Sequence, residues 1–122
     1  MDGVALRPIL HMTVAPEGAA TTRLVLRGEL DCSSAPHLRA RIRDILTGGT
    51  TTLVLDIAGI SFIDAAGLGV LVGAHRQLSE RGGRLELCRT PRSVQRVLEI
   101  TRLKGRGRWP HGHRGRCGGR CR

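Results

Sequence analysis

Apolar and polar residues alternate along the chain in two periods, and the changes from one period to the other predict the order of elements. Residues 5–15 hold scattered apolar positions (Leu6, Ile9, Met12, Val14) that predict a first edge strand, closed by the turn residues Pro16-Glu17-Gly18. Arg23 to Leu30 reads as a cleaner strand, bounded by Thr21-Thr22 before it and the polar Asp31-Cys32-Ser33-Ser34 turn after it. A helix is predicted from Ser34-Ala35-Pro36. Ser34 is expected to cap its free amides, and proline is tolerated in a first turn, where its missing N–H costs nothing. Leu38, Ile42, Ile45 and Leu46 give that helix one apolar stripe, and Gly48-Gly49 ends it.

Thr52 to Ile57 is short, β-prone and almost wholly apolar, as a strand covered on both faces would be. Gly59 to Ile63 then leads into Asp64, which is placed to cap a second helix running to about Glu80 and carrying Leu68, Leu71, Val72, His75 and Leu78 on one face. Gly82-Gly83 stops it, Arg84 to Cys88 alternates like a strand, and Thr90-Pro91 opens a third helix with Val94, Val97 and Leu98 on one side. The expected fold class is α/β: a mixed sheet of about four strands with helices packed on it.

Composition changes the picture at one end only. The 122 residues suit a single domain, and with aromatics at 2% the core must be built from Leu, Val, Ile and Ala. That scarcity argues against an aromatic platform for stacking nucleic-acid bases. The net charge of +10 points to a polyanion partner until it is located. Residues 102–122 hold eight basic residues and no acid, so the excess belongs to the tail while the preceding chain is nearly balanced. The division predicted is a domain over 5–103 and an Arg/Gly-rich disordered tail over 104–122. No apolar run is long enough for a membrane span and no secretory signal is seen, so a cytoplasmic protein is expected, its four cysteines reduced.

Catalytic chemistry is hard to assemble from these residues. The best elbow-like turn, Asp64-Ala65-Ala66-Gly67, carries methyl groups where a nucleophile would stand, and there is no phosphate-binding loop with its lysine. No catalytic residue and no cofactor are expected. His111, His113, Cys117 and Cys121 are the nearest thing to a zinc set, but a glycine-arginine tract offers no ordered shell around them, so no metal is expected either.

Several linked motifs carry a resemblance. Gly28-Glu29-Leu30-Asp31, then Ser34-Ala35-Pro36-His37-Leu38-Arg39, Leu55-Asp56 and the run Ile60 to Leu71 are together similar to a STAS domain of the anti-sigma factor antagonist type. Gly82-Gly83 and the segment Val94 to Thr101 match in order and spacing, so the resemblance covers residues 8–103. It implies a cytoplasmic, non-enzymatic switch that binds an anti-sigma factor of the GHKL serine-kinase type and displaces the sigma factor held there. It further implies phosphorylation of a serine or threonine directly after the aspartate of the second helix start. That position is Ala65, followed by Ala66, so the acceptor hydroxyl is absent.

The expected partner face is Asp31, Ser33, Asp64, Ala65, Ala66, Gly67 and Val70, with Val70 preferred over Leu68 and Leu71 because helical periodicity sends those two to the core. Two alternatives stand beside this reading. One is a nucleic-acid-associated protein binding through its basic tail. The other is a STAS scaffold within a larger signalling assembly. The resemblance also implies a further apolar segment past Leu103, where this chain changes to Arg/Gly/Cys/His-rich sequence as an out-of-frame translation would. Oligomeric state is left open, since an edge strand can pair or be covered.

Overall fold

A computed structural model of the protein describes residues 10–101, with side chains through Val97. The elements follow in the expected order: β1 (Leu10–Pro16), β2 (Thr21–Leu30), α1 (Ala35–Thr47), β3 (Thr52–Ile63), α2 (Ala65–Glu80), β4 (Arg84–Cys88) and α3 (Arg92–Thr101). The proposed tail over 104–122 and the side chain of Leu98 lie outside the described residues.

The four strands form one sheet in the order β1-β2-β3-β4, with β1 antiparallel to β2 and the other neighbours parallel. Two successive crossovers step the chain the same way across the sheet. Crossovers of the usual right hand then put α1 and α2 on one face. Leu24, Leu26, Leu53, Leu55, Ile57, Leu85 and Leu87 from the strands meet Leu38, Ile42, Leu46, Leu71, Ala74 and Leu78 from those helices in a single core. Arg81 Nη2 donates to the Leu46 carbonyl at 2.9 Å, tying the end of α2 to the last turn of α1.

Strand β3 is buried without a break from Leu53 to Ile57, as a strand covered on both faces must be. Val54 and Cys88 make a small second cluster on the side away from the main core. Asp56 shares that side. It is 3% exposed, and its Oδ2 meets Arg89 Nη2 at 3.1 Å and Arg23 Nη1 at 3.4 Å while Oδ1 accepts from the Ala58 amide at 3.2 Å. Arg89 takes a left-handed conformation at φ 52° immediately after β4, which ends the strand beside Asp56. Removing this buried charge leaves Arg23 facing an amide in place of a carboxylate. Asp56→Asn is expected to lower stability by about 2 kcal/mol, read from the midpoint of urea unfolding.

Three expectations need correction. β3 does not stop at Ile57 but runs to Ile63, because the register shifts against β2 absorb the irregular stretch. Gly59 allows this: a Cβ there would stand 2.7 Å from Arg27 Cγ. Ser34 does not cap α1. Its backbone is already helical (φ −100°, ψ −19°) and no amide of the first turn reaches its side chain. Cys32 is an exposed free thiol, but Cys88 is disulfide-bonded, its partner outside the described residues, so the expectation of four reduced cysteines is corrected at Cys88.

Candidate functional site

The residues singled out in the sequence gather where β2 and β3 end side by side. Leu30 and Ile63 are register partners, and the Asp64 amide donates to the Leu30 carbonyl at 3.2 Å, so the turns that open α1 and α2 start next to each other. Asp64 caps α2 as predicted. It is extended (φ −119°, ψ −171°), its Oδ1 accepts from the Gly67 amide at 3.0 Å, and its carbonyl accepts from Leu68 at 2.9 Å.

The Asp31 turn is built differently. Asp31 Oδ1 accepts from the Ser33 hydroxyl at 2.8 Å and from the amides of Ser33 and Ser34 at 3.0 and 3.2 Å, and its carbonyl accepts from the Ala35 amide at 2.8 Å. Ser34 turns inward, donating its hydroxyl to the Glu29 carbonyl at 2.8 Å and accepting from the Asp31 amide at 3.0 Å. Asp31, and not Ser34, therefore satisfies the amides that lead into α1. The Ser33 hydroxyl, joined by the two amides and opposed by some loss of solvation, holds the Asp31 carboxyl below its ordinary value.

Burial sorts the seven predicted residues. Ser33 and Ala65 are exposed, Asp31 and Asp64 are half-buried, and Ala66 is half-buried and packed on the core. Gly67 and Val70 are buried. Gly67 presses on β2, where an added Cβ would come within 2.6 Å of both the Leu30 Cγ and the Leu30 carbonyl oxygen. Val70 is 4% exposed and belongs to the main core, so the expectation that it contacts a partner is corrected. Val72, placed with the core residues in the sequence, is 38% exposed.

The physical reason is the width of the buried arc of α2. Gly67, Leu68, Val70, Leu71, Ala74 and Leu78 span almost half its circumference, wide enough to take in Val70 at one flank. The outward row is Ala65, Gly69, Val72 and Arg76, at i, i+4, i+7 and i+11. That spacing was present in the sequence and would have revealed Val72. Phe62, 51% exposed near the end of β3, was also missed, since strand alternation past Gly59 is interrupted by the register shift. Among the described residues no helix is long and apolar enough to cross a membrane, and no three His, Cys, Asp or Glu gather as a metal site.

His75 lies midway along α2 and is partly buried, which lowers its pKa by desolvation. The unfolded chain then binds more protons than the native one just below the ordinary value of 6.5, so stability rises with pH through that window. Chemical denaturation is expected to show full stability above pH 6.5 and a loss on acidification, flattened in His75→Gln.

Comparison with known proteins agrees with this architecture. Residues 13–107 match the STAS domain. An anti-sigma F factor antagonist of Lysinibacillus sphaericus is 30% identical over 101 residues, covering 82% of this chain and 84% of that one. An anti-sigma-B factor antagonist of Bacillus subtilis (strain 168) is 34% identical over 79 residues, covering 65% of this chain and 72% of its own. Among solved structures, the anti-sigma factor antagonist SpoIIAA in its unphosphorylated form superposes with a TM-score of 0.69 at 26% identity, covering 76% of this chain and 82% of that one. The phosphorylated form of Bacillus SpoIIAA gives 0.65 at 27% identity, covering 77% and 86%. With its four-stranded mixed sheet, its helices on that sheet and these matches over most of its length, the chain belongs to the STAS domain family.

Proposed function

We propose that this chain is an anti-sigma factor antagonist: it binds an anti-sigma factor of the GHKL serine-kinase type through the first turns of α2 and so frees the sigma factor held there. The relatives named as antagonists support the class of activity. The observation that carries the finer reading is Ala65, exposed directly after the capping Asp64, where the resemblance implies an acceptor hydroxyl. Ala65, Gly69 and Val72 form a small, apolar outward row that a partner can approach closely, with Asp31 and Ser33 at its rim. Gly67 and Val70 act from beneath, by seating the helix against β2 and the core.

A phosphoryl group carries about −1.5 to −2 charge at neutral pH and would bring repulsion and desolvation into an apolar contact. A methyl group brings neither. The turn from Asp64 to Gly67 therefore stays in its binding-competent form, and the protein is non-phosphorylatable there and constitutive as far as that turn is concerned. No catalytic role is assigned to any of these residues.

Mixing the full chain with a purified complex of such an anti-sigma factor and its sigma factor is expected to release sigma with Mg-ADP present, where no phosphate can be transferred. A parallel incubation with Mg-ATP is expected to leave residues 61–69 free of phosphate by mass spectrometry. Phosphate within that segment, or no release of sigma, overturns the proposal.

A further inference from the structure

We propose that Ser33 is the hydroxyl phosphorylated by the kinase partner in place of the one missing at position 65, an inference that rests on the antagonist reading above. Ser33 is exposed, and its Oγ donates to Asp31 Oδ1 at 2.8 Å. It is also close to the lost acceptor. Leu30 and Ile63 are paired on adjacent parallel strands, whose backbones run about 5 Å apart, so Asp31 and Asp64 leave the sheet as neighbours. A kinase docked over Ala65 thus has Ser33 within its footprint.

The other hydroxyls at this end are less suited. Ser34 is 3% exposed and its Oγ is spent on the Glu29 carbonyl. Ser61 lies within β3, with Oγ donating to the Gly28 carbonyl at 3.3 Å. Ser33 alone among these three combines exposure with a carboxylate close enough to orient its proton.

The transfer balances without any further reagent than the nucleoside triphosphate held by the partner. Ser33 Oγ attacks the γ-phosphorus of ATP, the new O–P bond forms as the bond to the β-phosphate oxygen breaks, ADP departs, and the hydroxyl proton passes to Asp31. The product sets a phosphate beside a carboxylate that, once its proton is lost to water, carries like charge. Repulsion then pulls Asp31 off the Ser33 and Ser34 amides that lead into α1. That turn lies against the start of α2, so the modification both charges and deforms the docking face. A switch removed from one strand end is thereby restored at its neighbour.

The test is to incubate the full chain with a purified anti-sigma factor of the GHKL serine-kinase type and Mg-ATP, locate phosphate by fragment-ion mass spectrometry, and follow the complex by gel filtration. Phosphate at Ser33 with dissociation of the complex is expected. Ser33→Ala should lower incorporation at least tenfold and Ser33→Thr should restore it. A stable complex that takes up no phosphate, or takes it up at Ser34 or elsewhere outside residues 61–69, overturns the Ser33 proposal while sparing the antagonist reading; phosphate at Ser61 overturns both. Failure to form any complex overturns the antagonist reading, and the Ser33 proposal with it.

Discussion

Gly67→Ala is expected to destabilise the protein by at least about 3 kcal/mol, a large share of a small domain's total. The added methyl meets the Leu30 side chain and the Leu30 carbonyl oxygen at 2.6 Å, and the second of these is backbone that cannot step aside without pulling β2 off β3. The same residue donates its amide to Asp64, so pushing it away from β2 also disturbs the cap of α2. Gly69, one half-turn along, gives the control. A Cβ there meets nothing within 4 Å, and replacing a glycine inside a helix by alanine ordinarily gains about 0.5–1 kcal/mol. Urea unfolding of the two variants should therefore move in opposite directions. Equal gains would mean that helix propensity, and not the approach to Leu30, governs this turn.

This pair also marks how far the sequence could be read. The order of elements was legible because each has its own period and its own punctuation: Gly48-Gly49 after α1 and Gly82-Gly83 after α2 stand at the ends where they were expected. The cap at Asp64 was legible for the same reason, being a local pattern. What escaped depends on contacts between segments far apart in sequence. Nothing near Gly67 announces that Leu30 lies against it, and nothing near Asp56 announces Arg23 and Arg89. The sequence pattern points to Ser34 for the role that Asp31 performs, because both have side chains able to cap and only the backbone angles at position 34 decide between them. A narrow stripe through Leu68 and Leu71 leaves Val70 facing outward, while the helix buries a wider arc against β3 and β4.

Ala65→Glu is expected to weaken binding to the anti-sigma factor by at least about a hundredfold, equivalent to about 2.7 kcal/mol. The residue is exposed in the free protein, so a carboxylate there is fully solvated and the fold gains or loses little. Helix starts even favour acidic residues, which makes unfolding an implausible cause of any loss. On docking, the same carboxylate must shed its water against a face whose outward neighbours are Gly69 and Val72, neither of which offers a donor. The cost therefore falls on the complex alone. Gln77→Glu supplies the comparison: it makes the same charge on an exposed position of the same helix, about three turns further on. Titration calorimetry should show the hundredfold loss for position 65 and a change of no more than about threefold for position 77. If both variants lose affinity alike, the partner senses the net charge of α2 and not its first turn, and the docking face proposed here is misplaced.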